Sequence, residues 1–420
     1  MEVEFTLPRF SVGVGDRFAH QAKAQLRACM LAAEAGVEVV PVWNKSNREH
    51  TIIGSEPNET RAAADAAVRA LNWTKPYFLD ADHINIKTVQ RFIQPCDFFT
   101  LDVADLIGQP AEEEDIREFV SRHPELIGRI VIPEVDQPFQ TERSFVEGVA
   151  NNFLAAVKHA SAIYQLLTET KGAGRFVTEI SMDETESPQT PAELLIILAM
   201  IADAKIPIQT IAPKFTGRFN KGVDYAGDIH QFAREFNDDL ATIAFAVRTY
   251  GLPKNLKLSV HSGSDKFSIY QAMHQAVERF GAGVHLKTAG TTWLEELIGL
   301  AEAGGTGLAL TKAIYAEAYA HGDELTAPYA AVINIEASKL PAPEVVNGWT
   351  SEQFTGALRH DQQNPAYNPS FRQLLHVGFK VAAKMGPRYI EALQANAEVV
   401  AKNVTENLYE RHIKPVFLGA

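Results

Sequence analysis

Residues 256–287 read LKLSVHSGSDKFSIYQAMHQAVERFGAGVHLK. The apolar run Leu256–Val260 predicts a buried strand, and Ser268–Phe280 has the composition and spacing of an amphipathic helix. A second short strand is predicted at Val284–Lys287. A strand, a helix and a strand in direct succession indicate two parallel strands that are joined by a crossover helix.

The same unit recurs along the chain of 420 residues. Eight strands are predicted, at Phe10–Val14, Val37–Val42, Tyr77–Leu79, Phe98–Leu101, Phe176–Ser181, Ile208–Ala212, Leu256–Val260 and Val284–Lys287. Helical segments lie between most of them, for example at His20–Ala35, Glu59–Leu71, Ala192–Ala204 and Ser268–Phe280. Eight alternating units favour an α/β fold of the (β/α)₈ TIM-barrel type, because open doubly wound sheets usually have fewer strands.

Two regions depart from this regular spacing. The long stretch between the fourth and fifth strands contains an acidic helix, Ala111–Ser121, and a long helix, Ser144–Thr168, which indicates an insertion around residues 105–150. The chain after the eighth strand is mostly helical. We therefore predict a catalytic barrel over residues 1–305 and a C-terminal helical extension over residues 306–420. The extension could close the bottom of the barrel, cover its active-site face or form a homo-oligomer interface.

Composition and charge exclude several classes of protein. With 39 basic and 52 acidic residues the net charge is −13, so nucleic acid is not an expected partner. The longest apolar run, Leu194–Ala202, is too short to cross a bilayer, and the first residues do not form a signal peptide, so we expect a cytoplasmic protein without a membrane partner. Two cysteines, Cys29 and Cys96, are too few for a disulfide framework or a cysteine-rich zinc site.

Polar residues gather where the predicted strands end, which is where barrel enzymes carry their active sites. The sequence has such residues on four strands, namely Asp82 and His83, Glu179, His261 with Ser262 and Asp265, and Lys287. Imidazole and carboxylate groups without a thiolate suit an open, catalytic site for Zn²⁺, Mn²⁺ or Ni²⁺. Asp82 and His83 are adjacent, so both reach one site only if the chain turns there. Alternatively, Asp82 caps a helix that starts near Ile86.

Two further segments suggest ligands. The loop 214–222 is basic on an acidic protein, and its Lys214 and Arg218 are candidates to bind a carboxylate or phosphate group, although an ordinary solvated loop remains an alternative. Gly13-Val14-Gly15 is similar to part of a dinucleotide-binding motif, but Phe18 stands where the third glycine belongs. We therefore expect no NAD cofactor.

The phrases around Asp82–His83, Lys214–Asp228, His261–Tyr270 and His285–Glu296 together resemble the tagaturonate epimerase family of bacterial hexuronate catabolism. The resemblance covers nearly the whole chain and rests on several long phrases. It implies a metal-dependent, NAD-independent enzyme whose small-molecule partner is a hexuronate and which interconverts D-tagaturonate and D-fructuronate.

A looser resemblance concerns the chemistry. Residues 79–83 and 260–265 are similar to motifs of class II aldolases, which implies Asp82 as the proton-transfer group and His83 and His261 as metal ligands. That family has glycine directly after its histidine, where this chain has Ser262, and a further histidine ligand of the family has no counterpart here. Glu179 is the nearest residue of a ligating type on the fifth strand, so we take it as the third ligand.

The reaction itself suggests roles for these residues. The carbon that inverts is β to the ketone, so its C–H is not acidified, and we expect a retro-aldol cleavage followed by recombination. Asp82, or otherwise Glu179, is the expected general base. Lys214, Arg218 or Lys287 would neutralise the substrate carboxylate, and we take Ser262 and Asp265 as further substrate contacts. A class II-type aldolase that releases its fragments and a non-catalytic sugar-acid binding protein remain alternatives.

Overall fold

The computed structural model describes residues 5–183 and 185–420. Its strands are β1 Phe10–Gly15, β2 Val40–Ser46, β3 Phe78–Ile84, β4 Phe98–Asp102, β5 Gly128–Ile130, β6 Phe139–Thr141, β7 Val177–Ser181, β8 Thr210–Ala212, β9 Lys257–Val260 and β10 Val284–Leu286. All except β5 and β6 pair in parallel and close into a barrel in the order β1-β2-β3-β4-β7-β8-β9-β10, with β10 returning to β1. The prediction of a (β/α)₈ barrel is confirmed, and each barrel strand overlaps its predicted segment.

Helices surround the barrel and form the C-terminal region. They are α1 Ala22–Glu34, α2 Asn47–Ile53, α3 Pro57–Ala70, α4 Glu113–Arg122, α5 Arg143–Lys171, α6 Pro191–Asp203, α7 Ile229–Tyr250, α8 Phe267–Phe280, α9 Thr292–Ala303, α10 Gly305–Ala320, α11 Gly322–Thr326, α12 Pro343–Asn347, α13 Ser351–Leu358, α14 Pro369–Val377, α15 Phe379–Met385, α16 Pro387–Ala395 and α17 Ala397–Leu408, followed by a π-helix at Tyr409–Leu418. Within the described part of the chain, none of the helices has the length and apolarity needed to span a membrane.

Local sequence signals explain where the apolar helix α6 begins. The Thr190 hydroxyl accepts a hydrogen bond from the Glu193 backbone N–H, the Glu193 carboxylate accepts one from the Thr190 N–H, and Pro191 occupies the first turn. This reciprocal cap and the preset φ of proline both favour helix initiation. Residues 194–201 are buried throughout, because α6 packs between α5 and α7 in the outer layer. The apolar run is therefore a buried barrel helix.

The stretch between β4 and β7 contains more than a crossover helix. Helix α5 lies between α4 and α6 and runs back to the barrel as the crossover segment. Before it, the chain forms α4 and the antiparallel pair β5-β6, in which Gly128 is opposite Thr141. These additional elements account for the irregular spacing in this part of the sequence.

The C-terminal region forms a second hydrophobic core and also completes the barrel. Trp293 and Leu297 of α9 pack with Phe354, Phe371 and Tyr389 in the second core. Helix α17 and the π-helix then return to pack against α1 and α8, and their apolar residues Leu408, Ile413, Val416 and Phe417 belong to the barrel core. The last segment of the chain therefore fills a place in the helical layer of the barrel. The division after residue 305 stays a prediction, and it falls at the first residue of α10, a helix that shares one core with α9.

Candidate active site

The end of β3 brings two adjacent polar side chains together. The pairing of β3 with β4 shifts register between Ala81 and Ile84, and His83 has the left-handed φ of 51°. This irregularity turns the chain, and the Asp82 carboxylate lies 2.8 Å from His83 Nδ1. No α-helix follows at Ile86, where the described chain forms only the short 3₁₀ helix Val89–Arg91. Asp82 therefore serves the strand-end site and does not cap a helix.

Two other strand ends complete a compact group. His261 directly follows β9, and the next residue, Ser262, again has a left-handed φ, of 50°. Asp183 lies two residues beyond β7, and its Oδ1 is 3.1 Å from His261 Nδ1 and 3.4 Å from His83 Nε2. One potential metal-ligating atom from each of these three residues lies within 4.8 Å of the other two. We call His83, Asp183 and His261 the His–Asp–His cluster.

Glu179 lies behind this cluster. Its Oε1 is 2.8 Å from His261 Nε2, and its side chain is fully buried and does not line the cavity above the cluster. Glu179 and Ser181 project to the same face of β7 because side chains alternate along a strand, and the Ser181 hydroxyl donates to Asp183 just beyond the strand end. In the described part of the chain, Asp183 and not Glu179 therefore completes the group whose atoms could hold a metal ion. Asp183 could have been found by following that face to its end.

Lys287 lies beneath the cluster, surrounded by acidic groups. Its ammonium nitrogen is 2.9 Å from Asp80, 2.9 Å from Asp82 and 3.1 Å from Glu179, and it also donates to the Thr100 hydroxyl. Three carboxylates already surround this ammonium group and compensate its charge. The geometry therefore does not favour the predicted role of Lys287 in neutralising a substrate carboxylate.

The first strand has a glycine at the point where it approaches the end of β10. A Cβ on Gly13 would be 3.0 Å from the Cα of Lys287, so the absence of a side chain lets the two segments come together. Part of the glycine pattern Gly13-Val14-Gly15 therefore has a structural role beside the site.

The charges of the site depend strongly on one another. Burial opposes ionisation of Asp82, but Lys287 and His83 hold its pKa well below the usual range. Burial likewise opposes ionisation of Asp183, and His261 and His83 lower its pKa. Burial alone would lower the pKa of both histidines, whereas the neighbouring carboxylates raise it. The site thus has an excess of carboxylates, and their negative charge raises the pKa of both histidines.

Three of the predicted substrate-binding residues do not line the cavity. Asp265 is fully buried, 2.5 Å from the Arg372 guanidinium and 3.2 Å from both His360 and His412. It connects the loop after β9 to the C-terminal helices, and this geometry does not favour the predicted contact of Asp265 with substrate. Lys214 donates to the backbone of Thr185, and Arg218 pairs through its backbone with Ala226. Neither Lys214 nor Arg218 reaches the cavity wall, whereas Ser262 lies on it.

A cavity of about 350 Å³ lies above the cluster. Asp82, Lys287 and the His–Asp–His cluster line it, and Tyr329, His376 and Phe379 of the C-terminal region line it as well. Pockets of this size hold small metabolites. Two imidazoles and a carboxylate form a donor set that suits a catalytic divalent cation, and the surplus of negative charge favours binding of one. The residues present therefore fit a metal ion.

The fold and these strand-end residues together define an enzyme of the TIM-barrel class. A family model described as tagaturonate epimerase (UxaE) matches residues 3–414, and the chain belongs to that family. It is therefore an epimerase, an enzyme of the isomerase class.

Individual relatives agree with this assignment. The tagaturonate/fructuronate epimerase of Thermotoga maritima is 27% identical over 419 residues, which cover 96% of this chain and 80% of that protein. The fructuronate-tagaturonate epimerase UxaE of Cohnella laeviribosi has a similar fold. Its native crystal structure has a TM-score of 0.80 at 23% identity, and its structure with one glycerol has a TM-score of 0.81 at 22% identity. Both cover 98% of this chain and 82% of that chain.

Proposed function

We propose that the protein is a metal-dependent epimerase that interconverts D-tagaturonate and D-fructuronate. Family membership and the names of the relatives support the pair of substrates. The observation that carries the metal dependence is the His–Asp–His cluster, which faces a cavity of suitable size. The two cysteines are buried free thiols, which agrees with an enzyme of the reducing cytoplasm.

In this proposal His83, Asp183 and His261 hold the cation, which is Zn²⁺, Mn²⁺ or Ni²⁺. Such an ion would act as a Lewis acid toward the ketone of the substrate. Glu179 positions the ring of His261, because its hydrogen bond to Nε2 leaves Nδ1 directed at the cluster. Glu179 is thus a positioning residue in this account, and the role of general base falls to another carboxylate.

The chemistry follows from the position of the inverting carbon. Its hydrogen is β to the ketone, so enolisation cannot remove it. A base instead takes the proton of the hydroxyl on that carbon, and the bond between the α and β carbons breaks. The electron pair of that bond forms the enediolate of the ketone fragment, and the other fragment becomes an aldehyde. The aldehyde turns over, the bond forms again on its other face, and the proton returns to the new hydroxyl.

Asp82 is the residue that we assign to hold this proton. It lines the cavity, and its carboxylate contacts both His83 and Lys287. The ammonium group of Lys287 keeps Asp82 close to the cluster and also joins it to Asp80 and Glu179. This arrangement fixes the position of Asp82 before substrate arrives, which is the kind of preorganisation that proton transfer requires.

Metal removal tests the proposal. Chelator-treated protein should lose interconversion of the two hexuronates and recover it when Zn²⁺, Mn²⁺ or Ni²⁺ is added. The variant Asp183→Asn should fail to recover, whereas Asp361→Asn, which changes an exposed carboxylate of the C-terminal region, should recover fully. Full activity of metal-free wild-type protein would refute the metal dependence.

A trapping experiment tests the cleavage step. An aldehyde-specific reagent or a competing aldehyde should capture three-carbon fragments during turnover of D-tagaturonate. Continued epimerisation with no captured fragment, under conditions in which an added three-carbon aldehyde is captured efficiently, would contradict the retro-aldol route. Free accumulation of both fragments without epimerisation would instead identify an aldolase.

A further inference from the structure

A second group of charged residues lines the cavity. Arg17 follows β1, Arg48 lies in α2, and Lys221 lies in the loop after β8. The Arg48 guanidinium is 5.0 Å from the centre of the Tyr329 ring, and the Lys221 ammonium is 5.9 Å from it. We call Arg17, Arg48 and Lys221 the cationic wall.

In residues 5–183 and 185–420, most of the carboxylates that line the cavity lie at the strand ends. Glu49 accepts a hydrogen bond of 2.8 Å from Arg17. The other carboxylates that line the cavity among the described residues are Asp82 and Asp102, at the ends of β3 and β4, and Asp183, just beyond β7. Two lining cations are bonded within the protein, since Lys287 lies among the strand-end carboxylates and Lys266 donates to backbone carbonyls. Apart from these two, the described lining is divided into an acidic group at the strand ends and a cationic group outside them. A ligand with a carboxylate at one end would match this division.

Two uncharged polar groups lie among the cations. His376 lines the cavity, and its imidazole makes no hydrogen bond to any residue in the described part of the chain. Burial, together with Arg17, Lys221 and Arg372, holds the pKa of His376 well below its ordinary value, so its ring is neutral. The hydroxyl of Tyr329 likewise makes no hydrogen bond within residues 5–183 and 185–420. Both groups can donate a hydrogen bond to a bound anion.

The first turn of α9 lies at the same part of the cavity. Thr291, Thr292 and Trp293 are lining residues, and the first N–H groups of a helix have no partners within it. A Cβ placed on Gly222 would be 3.2 Å from the His376 ring and 3.7 Å from Leu294 of α9, so Gly222, the neighbour of Lys221, lies close to both. The positive end of the α9 dipole thus adds to the field of the cationic wall.

We propose that the cationic wall binds the carboxylate of the substrate and thereby selects sugar acids over neutral ketohexoses of the same length. A carboxylate accepts charge-assisted hydrogen bonds from guanidinium, ammonium and helix N–H groups. The identity of the sugar rests on the proposed function. Since Tyr329 and His376 come from the C-terminal region, that region takes part in substrate selection.

Matched substitutions test this assignment on the metal-loaded protein. Arg48→Met and Lys221→Met each remove one cation from the wall. Lys380→Met is the control, because the Lys380 ammonium also lies 4.9 Å from the Tyr329 ring but is not among the residues that line the cavity. Binding of D-tagaturonate and of D-tagatose, which has a hydroxymethyl group in place of the carboxylate, is measured by calorimetry.

Each wall variant should weaken D-tagaturonate binding by about 10- to 100-fold and D-tagatose binding by less than about threefold. Lys380→Met should change neither. Equal weakening of both sugars, or an unchanged preference for the acid in both wall variants, would overturn the assignment. Wild-type protein that prefers D-tagaturonate but does not epimerise it would refute the proposed function and leave the cationic wall supported.

Discussion

The substitution Glu179→Gln separates two roles that a buried carboxylate can have at this site. Glu179 is fully buried, and its Oε1 is 2.8 Å from His261 Nε2 and 3.1 Å from the Lys287 ammonium. Glutamine has nearly the same shape, and its carbonyl oxygen can still accept the hydrogen bond from His261. The substitution therefore removes the negative charge behind the imidazole and leaves the three residues of the His–Asp–His cluster in place.

The expected effect follows from this position. A carboxylate that orients a ligating histidine raises the basicity of the ring, and its loss typically costs about 10- to 100-fold in metal affinity. That corresponds to about 1.4 to 2.7 kcal/mol of binding free energy. Lys287 keeps its contacts with Asp80 and Asp82, so its ammonium group retains compensating charge.

Calorimetric titration of chelator-treated protein with Mn²⁺ or Zn²⁺ measures this effect. Asp183→Asn is the matched comparison, because it makes the same carboxylate-to-amide change at a residue of the cluster. We expect Glu179→Gln to bind the ion weakly with unchanged stoichiometry, and Asp183→Asn to lose measurable binding. If Glu179→Gln also lost binding, Glu179 would be a ligand. If its affinity matched the wild type, Glu179 would not tune His261 at all.

Two further predictions concern stability. Arg372→Met leaves the fully buried Asp265 carboxylate without its guanidinium partner at 2.5 Å, so we expect about 3 to 5 kcal/mol of destabilisation in urea unfolding, partly recovered in the double variant with Asp265→Asn. A loss under about 1 kcal/mol would contradict this account. Burial raises the pKa of Glu296 to about 8, so the folded state keeps a proton that the unfolded state releases above its ordinary pKa of 4.5. The free energy of unfolding should therefore fall as the pH rises from the unfolded pKa of 4.5 to the folded pKa of about 8. Glu296→Gln should reduce the slope of this fall by up to about 1.4 kcal/mol per pH unit. An unchanged slope would argue against a neutral Glu296.

The barrel strands were predictable because their signal is local. Short β-branched runs alternate with helical segments, and this pattern leaves few possible topologies. The packing of residues 408–417 into the helical layer of the barrel was not predictable. The sequence of an amphipathic helix shows which face is apolar, but it does not show which surface that face packs against. Its contacts with α1 connect residues that are almost the whole chain apart.

The site was predictable to the extent that it depends on strand ends. Asp82, His83 and His261 follow predicted strands, and the structure brings them to one rim. The sequence favoured Glu179 as the third ligand and the geometry favours Asp183, because the two lie near the same strand end and differ in depth. Asp265 was assigned to substrate because its partner, Arg372, is 107 residues away in the sequence.

The basic loop illustrates the same limit. Composition drew attention to residues 214–222, but Lys221 and Gly222 are the members that line the cavity, and Lys214 and Arg218 are not. Which cation of a loop faces a ligand depends on the path of its backbone, and a count of charges does not contain that information.

Anomalous diffraction from a crystal grown with Mn²⁺ or Zn²⁺ tests most directly whether the His–Asp–His cluster binds a metal ion. The account predicts one strong peak in the barrel mouth, in contact with His83 Nε2, His261 Nδ1 and the Asp183 carboxylate. The absence of a peak there at saturating metal, or an ion bound by Glu179 in place of Asp183, would contradict it.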